Sequence, residues 1–314
     1  MYHAIIASDV LDLLAADRAV PDRLDAVLVD RLREAAAKML DWMSTMSHGD
    51  GGLSFFNDCA LGIAPTIADL DRMAVALGLP PRSPVASLCR LEPSGYVRAH
   101  RGRVLLIADA GPIGPDYLPG HAHADTLSFE LSIGKQRVFV NSGTSEYVGS
   151  RRLFERGTAA HNSVVVDGAD SSEVWSSFRV ARRARPFGVG VSSSEGAHII
   201  SAGHDGYRRL GRGTDHLRTW ILSDEALIVE DVLTGRPLTA EARFHLHPDI
   251  QVETDSHGYR LDCRGKPLAR VDVDGGAVKV LAGYWAPEFG LLVPNQVLQV
   301  GFEGGGVITR LRWL

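Results

Sequence analysis

The sequence predicts an α+β protein: a short helical segment over residues 1–84, then a large antiparallel β-sandwich over residues 85–314. Three observations predict it. Apolar residues recur at helical spacing through about the first 80 positions. Beyond them, short β-rich runs alternate with turn residues at the spacing of an antiparallel sandwich. Between the two textures lies "LPPRSP", the strongest breaker in the chain and the predicted boundary.

The elements follow in order. In "AIIASDVLDLLAAD", Ile5, Ile6, Val10, Leu13 and Leu14 make one apolar stripe, and Pro21-Asp22 punctuates it. "RLDAVLVDRLREAAAKMLDWMSTM" predicts a longer amphipathic helix, stopped near the glycines of "SHGDGG". A third, "IADLDRMAVALG", ends at Gly78. The strand candidates are "RVLLIADA", "TLSFELSI", "QRVFVN", "NSVVVDG", "LRTWILS", "ALIVEDVL", "ARFHLH" and "GVITRLRW". No long helical period separates them, which disfavours a parallel βαβ fold. Two amphipathic helices must bury a face on the β domain, a partner chain or a preceding region, and exposed apolar helix faces favour self-association as a homo-oligomer.

Bulk properties narrow the function classes. The 314 residues are 45% hydrophobic and 23% charged, ordinary for a globular protein with a sizeable core. A net charge of −5 gives no reason to expect nucleic acid as a partner. The three cysteines, Cys59, Cys89 and Cys263, are far apart and show no zinc-like spacing, so no disulfide framework is expected. No apolar run reaches the roughly 18 residues of a membrane span. "MYHAIIASDVLDLLAADRAV" lacks signal-peptide features and reads as the interior of a helix, which leaves localisation open between periplasm and cytoplasm.

Several stretches carry candidate chemistry. In "GHAHADT", His121, His123 and Asp125 alternate, and an extended chain would place all three on one face. That pattern suits a metal site, a proton-transfer site or a polar edge. Asn141 in "VFVNSGTSEY" and His161 in "RGTAAHNSVVVDG" could converge with a histidine on one cation; hydrogen-bonded histidines at a sheet edge are the other reading. "FRVARRARP" and "GYRRLGRGTDHLR" are rich in guanidinium forks, which suit carboxylates and sulfates, making Arg179, Arg182 and Arg183 candidate substrate-binding residues; a charged edge kept from pairing is the alternative. In "SSEVWSSF", Trp175 and Phe178 could stack on sugar, although core packing is the commoner use of such a Trp. Asp50 and Asp58 read as turn or cap residues, or as acids at a cleft.

The strings "LEPSGYVRAHRG", "DAGPIGPDYLPGHAHADTLSFELSIGKQRVFVNSGTSEY", "RGTAAHNSVVVDGADSSEVWSSFRVARRARP" and "HDGYRRL" resemble the heparinase II/III family of polysaccharide lyases. The resemblance implies an incomplete α/α toroid followed by an antiparallel sandwich. The helical segment here is too short for a toroid, and "MYH" resembles a stretch deep inside one, so the chain looks like the C-terminal portion of a longer member, possessing only a toroid remnant. The implied chemistry is β-elimination at a uronic acid in an acidic polysaccharide, with proton transfer by a Tyr and a His. Motif matching puts these roles on Tyr2 and His121. It puts a structural Zn2+ or similar divalent cation on His123, Asn141 and His161. The family's usual Asp is Asn141 here; an amide oxygen carries no charge, which lowers the expected metal affinity. Asp125 is then expected to fix an imidazole tautomer. A terminal Tyr2 is expected to fray, which predicts impaired lyase activity. The alternative is a non-catalytic carbohydrate-binding or structural remnant. A sugar-binding cupin-like metal protein fits neither the ligand strings nor the helical segment.

Overall fold

A computed structural model describes residues 1–21 and 23–314 of the chain. Three helices come first: α1 (Tyr2–Ala19), α2 (Ala26–Thr45) and α3 (Ile67–Ala76). The Asp25 side chain starts α2 by accepting the Val27 and Leu28 N–H groups, and Thr66 with Asp69 makes a reciprocal cap on α3. The buried row of α1 is Ala4, Ala7, Leu11 and Leu14, packed with Ala36, Leu40 and Met43 of α2 and Ile67, Leu70 and Ala74 of α3. This corrects the expected stripe. Of its five residues only Leu14 is fully buried, while Ile6 and Leu13 stand about half exposed. The small alanines allow close approach of the helices, so they, not the largest side chains, face the neighbours.

The β region forms three large antiparallel sheets around one core. A five-stranded sheet runs in chain order through Leu88–Leu91, Tyr96–Arg101, Val104–Asp109, Phe129–Ile133 and Gln136–Phe139. An eight-stranded sheet has His216–Ser223 and Ala226–Leu233 near its middle, and a four-stranded sheet joins Ala277–Trp285, Val293–Phe302, Ala240–His245 and Val164–Val166. His216–Ser223 alternates strictly between buried and half-buried, as a strand with one packed face must. Leu106, Phe129, Trp220, Val229, Phe244 and Leu298 bring all three sheets into the shared core.

The strand Val104–Asp109 is buried on both faces because it has two packing partners. Leu106 faces the shared core, whereas Leu105 and Ile107 pack on Met46, Phe56 and Trp42 from the helical side. The five-stranded sheet is therefore the layer between helices and sandwich. One buried carboxylate fastens the chain to it. Glu130 accepts the backbone N–H groups of Phe55 (3.0 Å) and Asn141 (2.8 Å) and bonds His48 Nε2 at 2.9 Å. That clamp fixes the segment leading into Asn57 and Asp58. The three cysteines are free thiols. Among the described residues, no helix is long and apolar enough to cross a membrane.

Candidate active site

Residues 120–126 are not a strand. They form a turn-rich loop, and the strand begins at Phe129. The loop's backbone bonds go elsewhere: the His123 N–H to the Asn57 side-chain oxygen (3.1 Å) and the Ala124 N–H to the Arg156 carbonyl (2.8 Å). The expectation of one shared face fails with the strand. His121 and His123 nonetheless meet, because both reach the same carboxylate from two sides. His121 Nδ1 lies 2.7 Å from Asp58 Oδ2, and His123 Nε2 lies 2.8 Å from Asp58 Oδ1.

Asp58 is the hub. Its side chain is fully buried, and Arg152, equally buried, grips both oxygens through Nη1 and Nη2. Burial alone would raise this carboxyl; the hydrogen bonds of His123 and Arg152 and the charge of Arg152 outweigh it and hold the group well below the usual carboxylate range. An ionised Asp58 only accepts hydrogen bonds, so His121 donates from Nδ1, and the neutral imidazole then has its lone pair on Nε2. The His121 side chain is 47% exposed.

Tyr2 opens α1 and meets this centre from the helical side. Its hydroxyl lies 2.7 Å from that of Tyr147, and its ring centroid is 4.5 Å from that of His121. Tyr147 and Phe178 complete the aromatic wall, with centroids 5.8 and 6.2 Å from His121. Burial, followed by the Tyr2 hydrogen bond, raises the Tyr147 phenol. Arg152 lies over the rings of both Tyr147 and Phe178, at 5.1 and 5.5 Å. Sequence reasoning singled out neither Tyr147 nor Arg152, and it took Asp58 chiefly for a turn residue.

The remaining candidates separate. His123 Nδ1 and His161 Nε2 face each other at 3.2 Å, both imidazoles lowered in basicity by burial and so neutral. Two nitrogens of one tetrahedral zinc site stand about 3.3 Å apart, so this distance suits an ion as well as a hydrogen bond. The charges do not. Asn141 contributes a neutral amide whose oxygen already accepts the Asn162 N–H (3.2 Å), and Asp58 is taken by Arg152. Among the described residues no group of three or more His, Cys, Asp or Glu could hold a metal ion. Two imidazoles and an amide bring no anionic ligand, and the buried guanidinium beside them further weakens this set for a divalent cation. Asp125 contacts neither imidazole; it accepts the Asn57 N–H at 3.2 Å, and burial pushes it up to about 7. Asp58 holds the tautomer instead.

Arg182 is paired with Glu173 (2.6 Å) and Arg183 with Asp116 (2.6 Å), while Arg179 has no acidic partner among the described residues. Trp175 is 54% exposed, against the expected core role: it sits on a two-stranded hairpin outside the three large sheets.

Residues 84–313 match the family described as Heparinase II/III-like, C-terminal. The chain belongs to that family. Heparinase II/III-like structures share its fold across the whole chain. Heparan sulfate lyase HepC from Pedobacter heparinus superposes with a TM-score of 0.74 at 14% identity, covering 100% of this chain and 52% of that one. A heparinase III gene product gives 0.73 at 13% identity, covering 100% and 51%. In sequence, the chain is 30% identical over 273 residues to FtsZ-localized protein C of Caulobacter vibrioides (strain NA1000 / CB15N), covering 77% of this chain and 45% of that protein. The chain thus spans about half the length of these relatives.

Proposed function

We propose that this chain carries the proton-transfer centre of a polysaccharide lyase that cleaves a uronate-containing polymer by β-elimination. The observation supporting it is the meeting of Tyr2 and His121, brought to 4.5 Å from opposite sides of the helix–sandwich boundary. Neutral His121, its tautomer fixed by Nδ1 donating to Asp58, takes the C5 proton of the uronate on Nε2. The electron pair forms the C4–C5 double bond, and the C4–O4 bond breaks. The Tyr2 hydroxyl, oriented by Tyr147, returns a proton to O4. Asp58 and Arg152 stabilise the imidazole without touching substrate. No step is routed through a metal.

A second reading, a non-catalytic carbohydrate-binding or structural unit, is favoured by the Caulobacter relative, whose name describes a place, FtsZ, and no reaction. Turnover separates the two. With heparosan, alginate, polygalacturonate and heparan sulfate as substrates, the ultraviolet band of the unsaturated uronate product is expected from the chain. His121→Ala and Tyr2→Phe should each lower the rate by about a hundredfold or more with the fold intact by circular dichroism. A chain that yields no product from any of these polymers leaves only the second reading.

A further inference from the structure

The hairpin formed by Val174–Trp175 and Arg179–Val180 has a two-rung ladder, Val174 opposite Val180 and Trp175 opposite Arg179. So small a hairpin is not stable by itself. Here it is held from below. Arg156 Nη1 donates to the Ser176 carbonyl (3.0 Å) and Arg152 Nε to the Ser177 carbonyl (2.9 Å). Both arginines are fully buried. Ser176, at φ +52, takes the left-handed conformation that turns the tip. Two buried guanidiniums, which also hold Asp58 and the Ala122 carbonyl, thus fix two successive carbonyls of a surface turn.

What that rigid tip presents is unusual. Trp175 and Phe178 are 54% and 42% exposed, although large aromatic side chains normally bury most of their area. Directly opposed residues of an antiparallel pair share a face, so Trp175 and Arg179 project from the same face of the hairpin. Nearby Arg182, Arg183 and Arg185 are each paired with Glu173 or Asp116; Arg179 has no such partner among the described residues. Phe178 links this platform to the reaction centre, 6.2 Å from the His121 ring and 5.7 Å from Tyr147.

We propose that the hairpin tip is a binding subsite for an acidic pyranose of the polymer, with Trp175 stacking on the C–H face of the sugar and Arg179 binding its carboxylate, beside the sugar that reacts at His121. The aromatic face and the free fork are the two complementary features of a uronate ring, one apolar and one anionic. Arg152 then serves both ends of the site, since the same guanidinium holds Asp58 and the Ser177 carbonyl. This subsite rests on the lyase reading for the identity of the polymer and for the neighbouring reacting sugar, not for the binding itself.

The test is calorimetric titration of the full chain with tetrasaccharides of heparosan, alginate and polygalacturonate, and with the same tetrasaccharides after reduction of their carboxyl groups to alcohols. At least one acidic tetrasaccharide should bind saturably. Trp175→Ala and Arg179→Ala should each weaken it about tenfold, with melting temperature unchanged because both side chains are exposed. The reduced sugar should bind as weakly to the wild type as the acidic one does to Arg179→Ala, and should be indifferent to that substitution. Saturable binding unaffected by Trp175→Ala or Arg179→Ala overturns the subsite, and so does the absence of binding to every tetrasaccharide. Hairpin-dependent binding without unsaturated product sinks the lyase reading and leaves the subsite standing. Turnover with an unchanged KM in Trp175→Ala does the reverse.

Discussion

Replacing Asp58 by Asn keeps its shape and removes its charge, and the geometry allows the cost to be worked out. Oδ1 faces His123 Nε2 and Arg152 Nη1; Oδ2 faces His121 Nδ1 and Arg152 Nη2. Whichever way an amide is turned, its NH2 meets an arginine N–H, so one hydrogen bond becomes a donor–donor contact, and the imidazole on that side must change tautomer to keep its own. Arg152 is left charged, fully buried and without its counter-ion. Removing one partner of such a pair costs about 3–5 kcal/mol. Urea denaturation should show a lower midpoint with an unchanged slope. The pH dependence has a definite sign. The folded Asp58 carboxyl is depressed below its ordinary 3.8, so its contribution is present above that value and disappears as pH falls through the folded one. The gap between wild type and Asp58→Asn should therefore be full at neutral pH and close in acid. Pairing Asp58→Asn with Arg152→Met, which removes the orphaned charge, should recover part of the loss. A loss under about 1 kcal/mol at pH 7, or a gap that persists undiminished into strong acid, would refute the hub.

Two further outcomes are expected. Asn141→Asp supplies the anionic ligand that the His123–His161 pair lacks, so zinc content should rise from well below one per chain towards one, with a melting temperature newly sensitive to chelator; no uptake by the variant would show that these residues do not converge on one ion. Burial, partly offset by the hydrogen bond to the Ala159 carbonyl, brings His245 down to about 4 from 6.5, so the unfolded chain binds the extra proton between those values and stability falls as pH drops below 6.5. His245→Gln should flatten that slope by up to about 1.4 kcal/mol per pH unit, measured by denaturation at pH 7, 6 and 5, and an unchanged slope would mean that His245 titrates normally in the fold.

Much of the architecture was readable because it depends on local pattern. The helical spacing in "IADLDRMAVALG" meets α3 over Ile67–Ala76, and the β-rich run "LRTWILS" lies within the strand His216–Ser223. The pattern misled where packing overrode hydrophobicity: in α1 the inward row turns on Ala4 and Ala7, and a close helix contact selects small residues. It misled again at residues 120–126, where alternation mimics a strand, but the backbone bonds go to the Asn57 side chain and the Arg156 carbonyl. Trp175 was read as core because aromatics usually are; its exposure depends on two arginines that hold a tip their own positions in the sequence do not reveal.

Tyr2 and His121 could be named from their strings, since a motif preserves residue type and neighbours. Their partners could not. Asp58 is 63 positions from His121, Arg152 is 94 from Asp58, and Tyr147 is 145 from Tyr2. A lone Asp followed by Cys, or an Arg in a short helix, looks in sequence like any surface charge. The sequence by itself determined the α+β order of elements, the family and the residue types offered for proton transfer. Only the tertiary structure decided which carboxylate holds the histidine, which arginines around the hairpin are paired, and that Arg179 has no acidic partner among the described residues, because burial and pairing of charge are properties of distance in space and leave no local signal along the chain.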